Sequence, residues 1–448
     1  MPRQRSLARW ILVQVVILFV VLIAAEGIMR LFDLGVPSAS EISVTLLTSS
    51  EENGVVHLRP KYAELDNPEI GELIPLADGN VFKVLSPMHD FDVVVPRPKN
   101  VFRVVLLGSS AAFGLGETPP LAGLLRDELE YRRVTKNHEI VDLSNRGMTL
   151  EQFRLLTPDA LALDPSVVVV MLNGAWPMLA QPQLAPRPEW VENLLSVLQR
   201  SRLLRTIWQT LSPKPAHAQE ATKRFLPKPF ELSDSFELAR TRHMVELREN
   251  MRRLRREQIL AIAEPLRAAG VPVLFVGVFS DLVNLPPVIS LHLRPLPEEE
   301  MSRFIHHYHT GNTQTDDGDC AGAVEHYKQA AKISPTYAML HYRLGKCLLE
   351  LGKEQAAREA FIEARRFDLS PERASMSPAR DPVDEIKATG ADYLDIEFAL
   401  HHARDGGVLG QAFFKNVDHF NALGQAKVAR VIAVRLVKLS EKQQAGNP

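Results

Sequence analysis

The chain of 448 residues is long enough for one large α/β domain and an added module, since single domains commonly hold about 100 to 200 residues. A hydrophobic fraction of 46% excludes global disorder, and a formal net charge of -2 offers no basic footprint for nucleic acid, so that class of partner is set aside. Two cysteines, Cys320 and Cys347, exclude a disulfide framework and leave open either one bridge or two small buried thiols.

In chain order, Arg3, Arg5 and Arg9 precede an apolar run from Trp10 to Ala25 interrupted only by Gln14. Charge before an apolar stretch predicts an uncleaved signal anchor over 1–32, arginines inside and body outside the cytoplasm. The rival is a cleaved signal peptide, and no convincing Ala-x-Ala site precedes Glu26. Residues 33–95 mix short apolar runs with Pro, Asn and Gly and read as a stalk.

From Phe102 onward apolar runs alternate with helical patterns: Phe102 to Leu107, Glu139 to Leu143, Val167 to Leu172, Val271 to Val278 and Asp392 to Ile396. Five parallel strands with helices between them predict a flavodoxin-like three-layer α/β/α sandwich over 96–295 and 380–442. The first strand ends abruptly in Gly108-Ser109-Ser110-Ala111-Ala112, small residues that let the backbone turn sharply and carry a hydroxyl to an exposed corner. An ordinary Ser-rich turn is the alternative on that segment alone.

Two insertions interrupt the alternation. Residues 178–235 are rich in proline, with a candidate helix from Trp190 to Leu211 and a polar stretch from Ser212 to Thr222. In the second, Gly311 and Gly345, Gly318 and Gly352, Ala323 and Ala357, Tyr327 and Phe361, Ala330 and Ala364 each stand 34 residues apart. That is the tetratricopeptide (TPR) period, and it predicts two repeats over 304–371. Two repeats are fewer than the three or so usually needed for independent stability, so the module must lean on the α/β body. Its exposed helical surface offers a protein partner a place to bind.

Late in the chain come Asn416, Asp418 and His419, just before an amphipathic C-terminal helix. A serine at a strand end and a late histidine are the nucleophile and base of acyl transfer. With Asn145-Arg146-Gly147 after the second strand and Leu172-Asn173-Gly174 after the third, the order resembles the SGNH (GDSL-type) hydrolases, and among them the membrane-anchored bacterial branch that carries TPR repeats inside the hydrolase domain. The resemblance implies Ser110 as nucleophile, His419 as general base, and backbone N–H groups of Ser110 and Gly147 as oxyanion donors.

Two positions depart from the family pattern. Trp176 stands where the oxyanion asparagine belongs, and an indole does not replace a carboxamide; Asn173 could substitute if the turn is rearranged. Asn416 stands at the orienting position three residues before His419, with the carboxylate moved to the adjacent Asp418. Asn416 can orient the imidazole while stabilising an imidazolium less well than a carboxylate.

The resemblance thus implies an extracytoplasmic esterase or O-acyl transferase in a bacterial inner membrane, acting on an acyl ester of an envelope glycan or lipid. The departures leave a second reading open, an inactive hydrolase fold that presents its repeats to a partner. No cofactor is implied. His306, His307 and His309, with His401 and His402, are not read as a metal site, because adjacent histidines do not share a helical face. The run Arg252, Arg253, Arg255 and Arg256 reads as a solvated, salt-bridged helix face.

Overall fold

A computed structural model describes residues 2–31, 47–52, 55–60, 72–75, 81–84, 91–114, 118–132, 137–172, 201, 203, 206–207, 234–277, 279–370, 382–402, 408, 412–416 and 419–445. The chain divides into two compact units, one of Met1–Val44, Gly71–Val84 and Ala180–Glu231, the other of Thr45–Ile70, Leu85–Leu179 and Leu232–Pro448.

In the first unit, helix α1 spans Pro2–Leu31 and exposes Val13, Val16, Ile17, Val20, Val21 and Ile23. Glu26 accepts from the Ser201 hydroxyl at 2.7 Å and the Leu203 N–H at 3.0 Å. Among the described residues no helix is long and apolar enough to cross a membrane. The unit also holds a hairpin of β3 (Glu72–Pro75) and β4 (Val81–Val84).

In the second unit, β1 (Leu47–Glu52), β2 (Val55–Pro60) and β5 (Phe91–Val93) form an antiparallel sheet. Over the span read as a stalk, the chain therefore builds strands. The main sheet contains β6 (Val101–Leu107), β7 (Asn137–Asp142), β8 (Val167–Met171), β9 (Val273–Val276) and β10 (Asp392–Leu394), all parallel, in the order β10-β9-β8-β6-β7. Counted from the first strand this is 2-1-3-4-5, the flavodoxin-like order.

Continuous apolar runs suit strands covered on both faces. Phe102, Val104, Leu106, Val167, Val169, Met171, Leu274 and Val276 enter one core with Leu121, Leu125 and Leu129 of helix α3 (Leu121–Tyr131). Val428, Ile432 and Leu436 of the C-terminal helix close the same core. The alternate residues Val105, Leu107, Val168, Val170 and Phe275 are buried as well, as the two-residue period of a strand requires. Helices α4 (Leu150–Ala162) and α5 (Asp234–Ala268) pack against each other. The Thr149 hydroxyl caps α4 by accepting from the Gln152 N–H at 3.2 Å.

Charge also enters the sheet. Arg103, 1% exposed, spends its guanidinium on Glu139 at 2.6 Å, the Val94 carbonyl at 2.8 Å and the Leu163 carbonyl, so its burial is compensated. On α5 the expected solvated arginine face is corrected at one position: Arg255 is buried, while Arg256 pairs with Glu385 of helix α10 (Val383–Ala388) at 3.2 Å and Arg252 with Glu249 at 3.7 Å.

Between β9 and β10 the chain leaves the sheet as two helical hairpins, α6 (Glu298–Asp316) with α7 (Cys320–Ile333), and α8 (Ala338–Glu350) with α9 (Glu354–Phe367). The 34-residue period has a steric cause. A Cβ at Gly311 would lie 2.8 Å from the Tyr327 ring, and one at Gly345 2.9 Å from the Phe361 ring. Each glycine lets an aromatic of the following helix fill the groove. Gly318 and Gly352, at φ 82° and 71°, take the left-handed conformation that turns each hairpin.

The module leans on the body through polar contacts. Arg365 of α9 donates to Glu397 at 2.8 and 3.1 Å and to the Ser280 hydroxyl at 3.1 Å. The Asp368 carboxylate accepts from the N–H groups of Val288 and Ile289 at 3.0 Å each, and the Tyr342 hydroxyl donates to the Val283 carbonyl at 2.8 Å. Leu282 of the body joins the module's core. Cys320 and Cys347 are buried free thiols; Cys320 donates to Glu350 at 3.0 Å, and burial beside Cys347 and Glu350 pushes its thiol up.

Candidate active site

In an open parallel sheet the crevice lies beyond the carboxyl ends of the strands, where the strand order reverses. Here that point is the end of β6, flanked by β7 on one side and β8 on the other. Gly108 makes the turn possible, because a Cβ there would stand 2.2 Å from the Ala112 Cβ. Ser109 remains extended and fully buried, and its carbonyl accepts from Ala112 and Phe113 at 2.9 and 3.0 Å, starting the short helix α2 (Ser110–Phe113). Of the two serines, Ser110 alone is partly exposed.

The second strand end supplies the adjoining turn. Leu143 donates to the Leu106 carbonyl at 2.9 Å and Asn145 to the Gly108 carbonyl at 3.3 Å, which pins this segment to the nucleophile turn. Buried Asn145 accepts from the Arg146 N–H at 2.6 Å, and Gly147 follows at φ 73°, a conformation that favours glycine. The Arg146 guanidinium lies over the Phe113 ring, 5.2 Å from its centroid, so residues 145–147 sit against α2.

The histidine arrives on a closed loop. An antiparallel bridge joins Phe414 and Phe420, Lys415 donates to the His419 carbonyl at 2.9 Å, and Asn421 donates to the Phe413 carbonyl at 2.9 Å. Asn421 then caps helix α12 (Ala422–Ala445) by accepting from the Gly424 N–H at 2.9 Å. Two long-range bonds tie this loop to the serine turn: Gln425 donates to the Ala111 carbonyl at 2.9 Å and Thr118 to the Phe420 carbonyl at 3.1 Å.

Within this frame His419 Nε2 stands 2.8 Å from Ser110 Oγ, and His419 Nδ1 stands 2.9 Å from Asn416 Oδ1. The same Oδ1 accepts from the His419 backbone N–H at 3.1 Å. A backbone N–H can only donate, so the Asn416 oxygen faces the loop. That oxygen in turn requires the proton on Nδ1, and Nε2 is left as the acceptor of the serine proton. Asn416 thus selects the tautomer a general base needs.

The structure brings Ser110, His419 and Asn416 together and sets Gly147 on the neighbouring turn. Asn173, Trp176 and Asp418 lie outside the described residues, as does most of the proline-rich insertion. Sequence reasoning missed Gln425, Thr118 and Phe279; the ring of Phe279 stacks on Phe420 at 3.9 Å. Such long-range partners leave no local pattern. His307 Nδ1 lies 3.2 Å from His326 Nδ1, yet among the described residues no group of three or more His, Cys, Asp or Glu is placed to hold a metal ion.

A family model for the TPR repeat matches residues 311–352. Solved structures similar to the chain include a GDSL-like lipase of Bacteroides thetaiotaomicron VPI-5482, at 10% identity and TM-score 0.29, covering 75% of this chain and 88% of that one. TesA, at 11% identity and TM-score 0.29, covers 75% and 99%. LAE5, an alpha/beta hydrolase enzyme from the metagenome of Lake Arreo, Spain, is 10% identical with a TM-score of 0.27 and covers 75% and 95%. No curated protein matches the chain.

Proposed function

We propose that the chain is a serine esterase or O-acyl transferase acting on an acyl ester. The observation that supports the reading is the relay Asn416–His419–Ser110, with contacts of 2.9 and 2.8 Å, at the strand-order reversal. Ser110 Oγ attacks the ester carbonyl while its proton passes to His419 Nε2. Collapse of the tetrahedral adduct returns that proton to the leaving alkoxide, which departs as the alcohol and leaves Ser110 acylated. Water, or an acceptor hydroxyl, then gives its proton to Nε2 and attacks the acyl carbonyl, and the second adduct collapses as Nε2 returns that proton to Ser110 Oγ, which leaves as the free hydroxyl. Backbone N–H groups of Ser110 and Gly147 are the proposed oxyanion donors, with Asn173 as a third.

The N-terminal helix is proposed as a membrane anchor that carries the body outside the cytoplasm, where an envelope glycan or lipid ester is the substrate class. The arginines before the Trp10–Ala25 run and the exposed apolar side chains of α1 support that placement. The repeats add capacity for a protein partner.

A fluorophosphonate should label wild-type protein at Ser110, and Ser110→Ala should abolish both labelling and hydrolysis of short acyl esters. Trp176→Asn, which restores an amide at the family's oxyanion position, should raise hydrolysis by up to about a hundredfold. The second reading, an inactive scaffold, is favoured by Trp176 itself and by the uncharged Asn416. It replaces the first if wild type and Trp176→Asn are both indistinguishable from Ser110→Ala in labelling, in hydrolysis and in acyl transfer to added glycan acceptors.

A further inference from the structure

The segment after β9 belongs at once to the repeat module and to the histidine loop. Phe279 is fully buried; its ring stacks on Phe420 at 3.9 Å and lies 6.0 Å from Phe414, and those two rings stack on each other at 4.9 Å. Phe414 and Phe420 are the residues whose bridge closes the loop around Asn416 and His419. The floor under that loop is therefore Phe279.

The next residue faces the other way. Ser280, also fully buried, accepts from Arg365 Nη1 at 3.1 Å, and Arg365 stands in the last turn of repeat helix α9. The guanidinium is fixed in turn by its two bonds to Glu397 on helix α11 (Ile396–His402), with Arg358 of α9 3.9 Å from the same carboxylate. Asp281 then accepts from the Val283 and Asn284 N–H groups at 3.0 and 2.9 Å and from the Asn284 side chain at 2.8 Å, so the segment has little freedom to slip.

We propose that Phe279 and the Arg365–Ser280 contact are positioning elements for His419, which makes the inserted repeats a working part of the hydrolytic site; this rests on the esterase reading above. A base that must stay within hydrogen-bond reach of Ser110 tolerates little displacement, and a shift of an ångström in such a site costs about a hundredfold in rate. Any partner that moves α9 reads out at the histidine, and by linkage the state of the histidine loop alters the affinity of the repeats for that partner.

The test uses the full chain. Arg365→Met/Glu397→Leu removes both members of the buried pair together, so neither is left as a lone buried charge, and Arg358, which loses a carboxylate 3.9 Å away, keeps a side chain 17% exposed to water. Phe279→Leu removes the stacked ring, and Ser280→Ala removes one hydroxyl and no charge. Two readouts are followed in variants whose far-UV circular dichroism matches wild type: the saturation kinetics and pH profile of fluorophosphonate reaction at Ser110, and the ring nitrogen signals of His419 by NMR. The double variant and Phe279→Leu should lower the maximal rate by about tenfold without changing the half-saturating reagent concentration, and should shift the His419 signals. Folded variants with wild-type rates and signals would overturn the proposal. If the double variant and Phe279→Leu do not fold, Ser280→Ala decides by the same two readouts. If wild-type Ser110 is never labelled, the esterase reading fails separately, and the His419 signals alone decide: unchanged signals overturn positioning, shifted ones support it.

Discussion

Replacing Asn416 by aspartate tests the relay where it is weakest. The substitution is isosteric, so both contacts to Oδ1 persist, the imidazole at 2.9 Å and the backbone N–H at 3.1 Å. A neutral hydrogen bond contributes about 1 kcal/mol net, and one to a charged acceptor is about twice as strong, so the carboxylate adds roughly 1 kcal/mol when the ring becomes cationic. Residue 416 is exposed, and solvent screening reduces the gain to about 0.5–1 kcal/mol. The maximal rate of Ser110 phosphonylation, followed by intact mass, should therefore rise about two- to fivefold. Asn416→Ala removes the acceptor that fixes the tautomer and should slow the reaction by at least about tenfold. Wild-type rates in both variants would refute the assignment of Asn416 as the group that orients His419.

Three further outcomes follow from steric and electrostatic detail. Gly108→Ala places a Cβ 2.2 Å from Ala112 and should cost about 1–3 kcal/mol in urea unfolding while also removing Ser110 reactivity. Two glycines on helices should respond oppositely: Gly345→Ala, against the Phe361 ring, destabilises by about 1–3 kcal/mol, whereas Gly123→Ala in α3, with nothing within 4 Å, stabilises by about 1 kcal/mol. His292 lies between Phe304 and Tyr337 with Nδ1 2.8 Å from the Ser334 hydroxyl, and burial with nearby Arg294 lowers its pKa from 6.5. As pH falls through 6.5 the unfolded chain takes up a proton the folded ring resists, so the repeats lose stability until the folded ring itself titrates. Protection factors in α6 and α8, taken relative to the intrinsic exchange rate at each pH, should fall over that window, and His292→Gln should flatten the dependence.

What was legible in the sequence is what leaves a local trace. The run ending at Gly108-Ser109-Ser110 announces both a covered strand and the turn that ends it, and the 34-residue spacing of Gly311 and Gly345 records a helix-on-aromatic contact repeated twice. Choosing Ser110 over Ser109 came from the resemblance; the physical discriminator is burial, and burial depends on residues across the sheet. Arg103 reads locally as an interruption in an apolar strand, and only Glu139, Leu163 and Val94 explain it. Arg255 looks like its solvated neighbours and is buried. Arg365 with Glu397 and Phe279 with Phe420 join segments whose proximity exists only after the fold closes.

The pairing of Ser110 with His419 bridges 309 positions of chain, with the whole repeat insertion inside the loop. A contact of such sequence separation forms late, after the intervening segments have collapsed and shortened the effective distance to be closed. The serine corner is built from β6 and α2 and pinned by the turn after β7, all early in the chain, so a nascent chain still short of residues 413–445 exposes a hydroxyl with no base to activate it. Chemical competence then coincides with docking of the final helix, and intermediates in which hydrophobic surface is still open, the species most exposed to side reactions, are chemically silent.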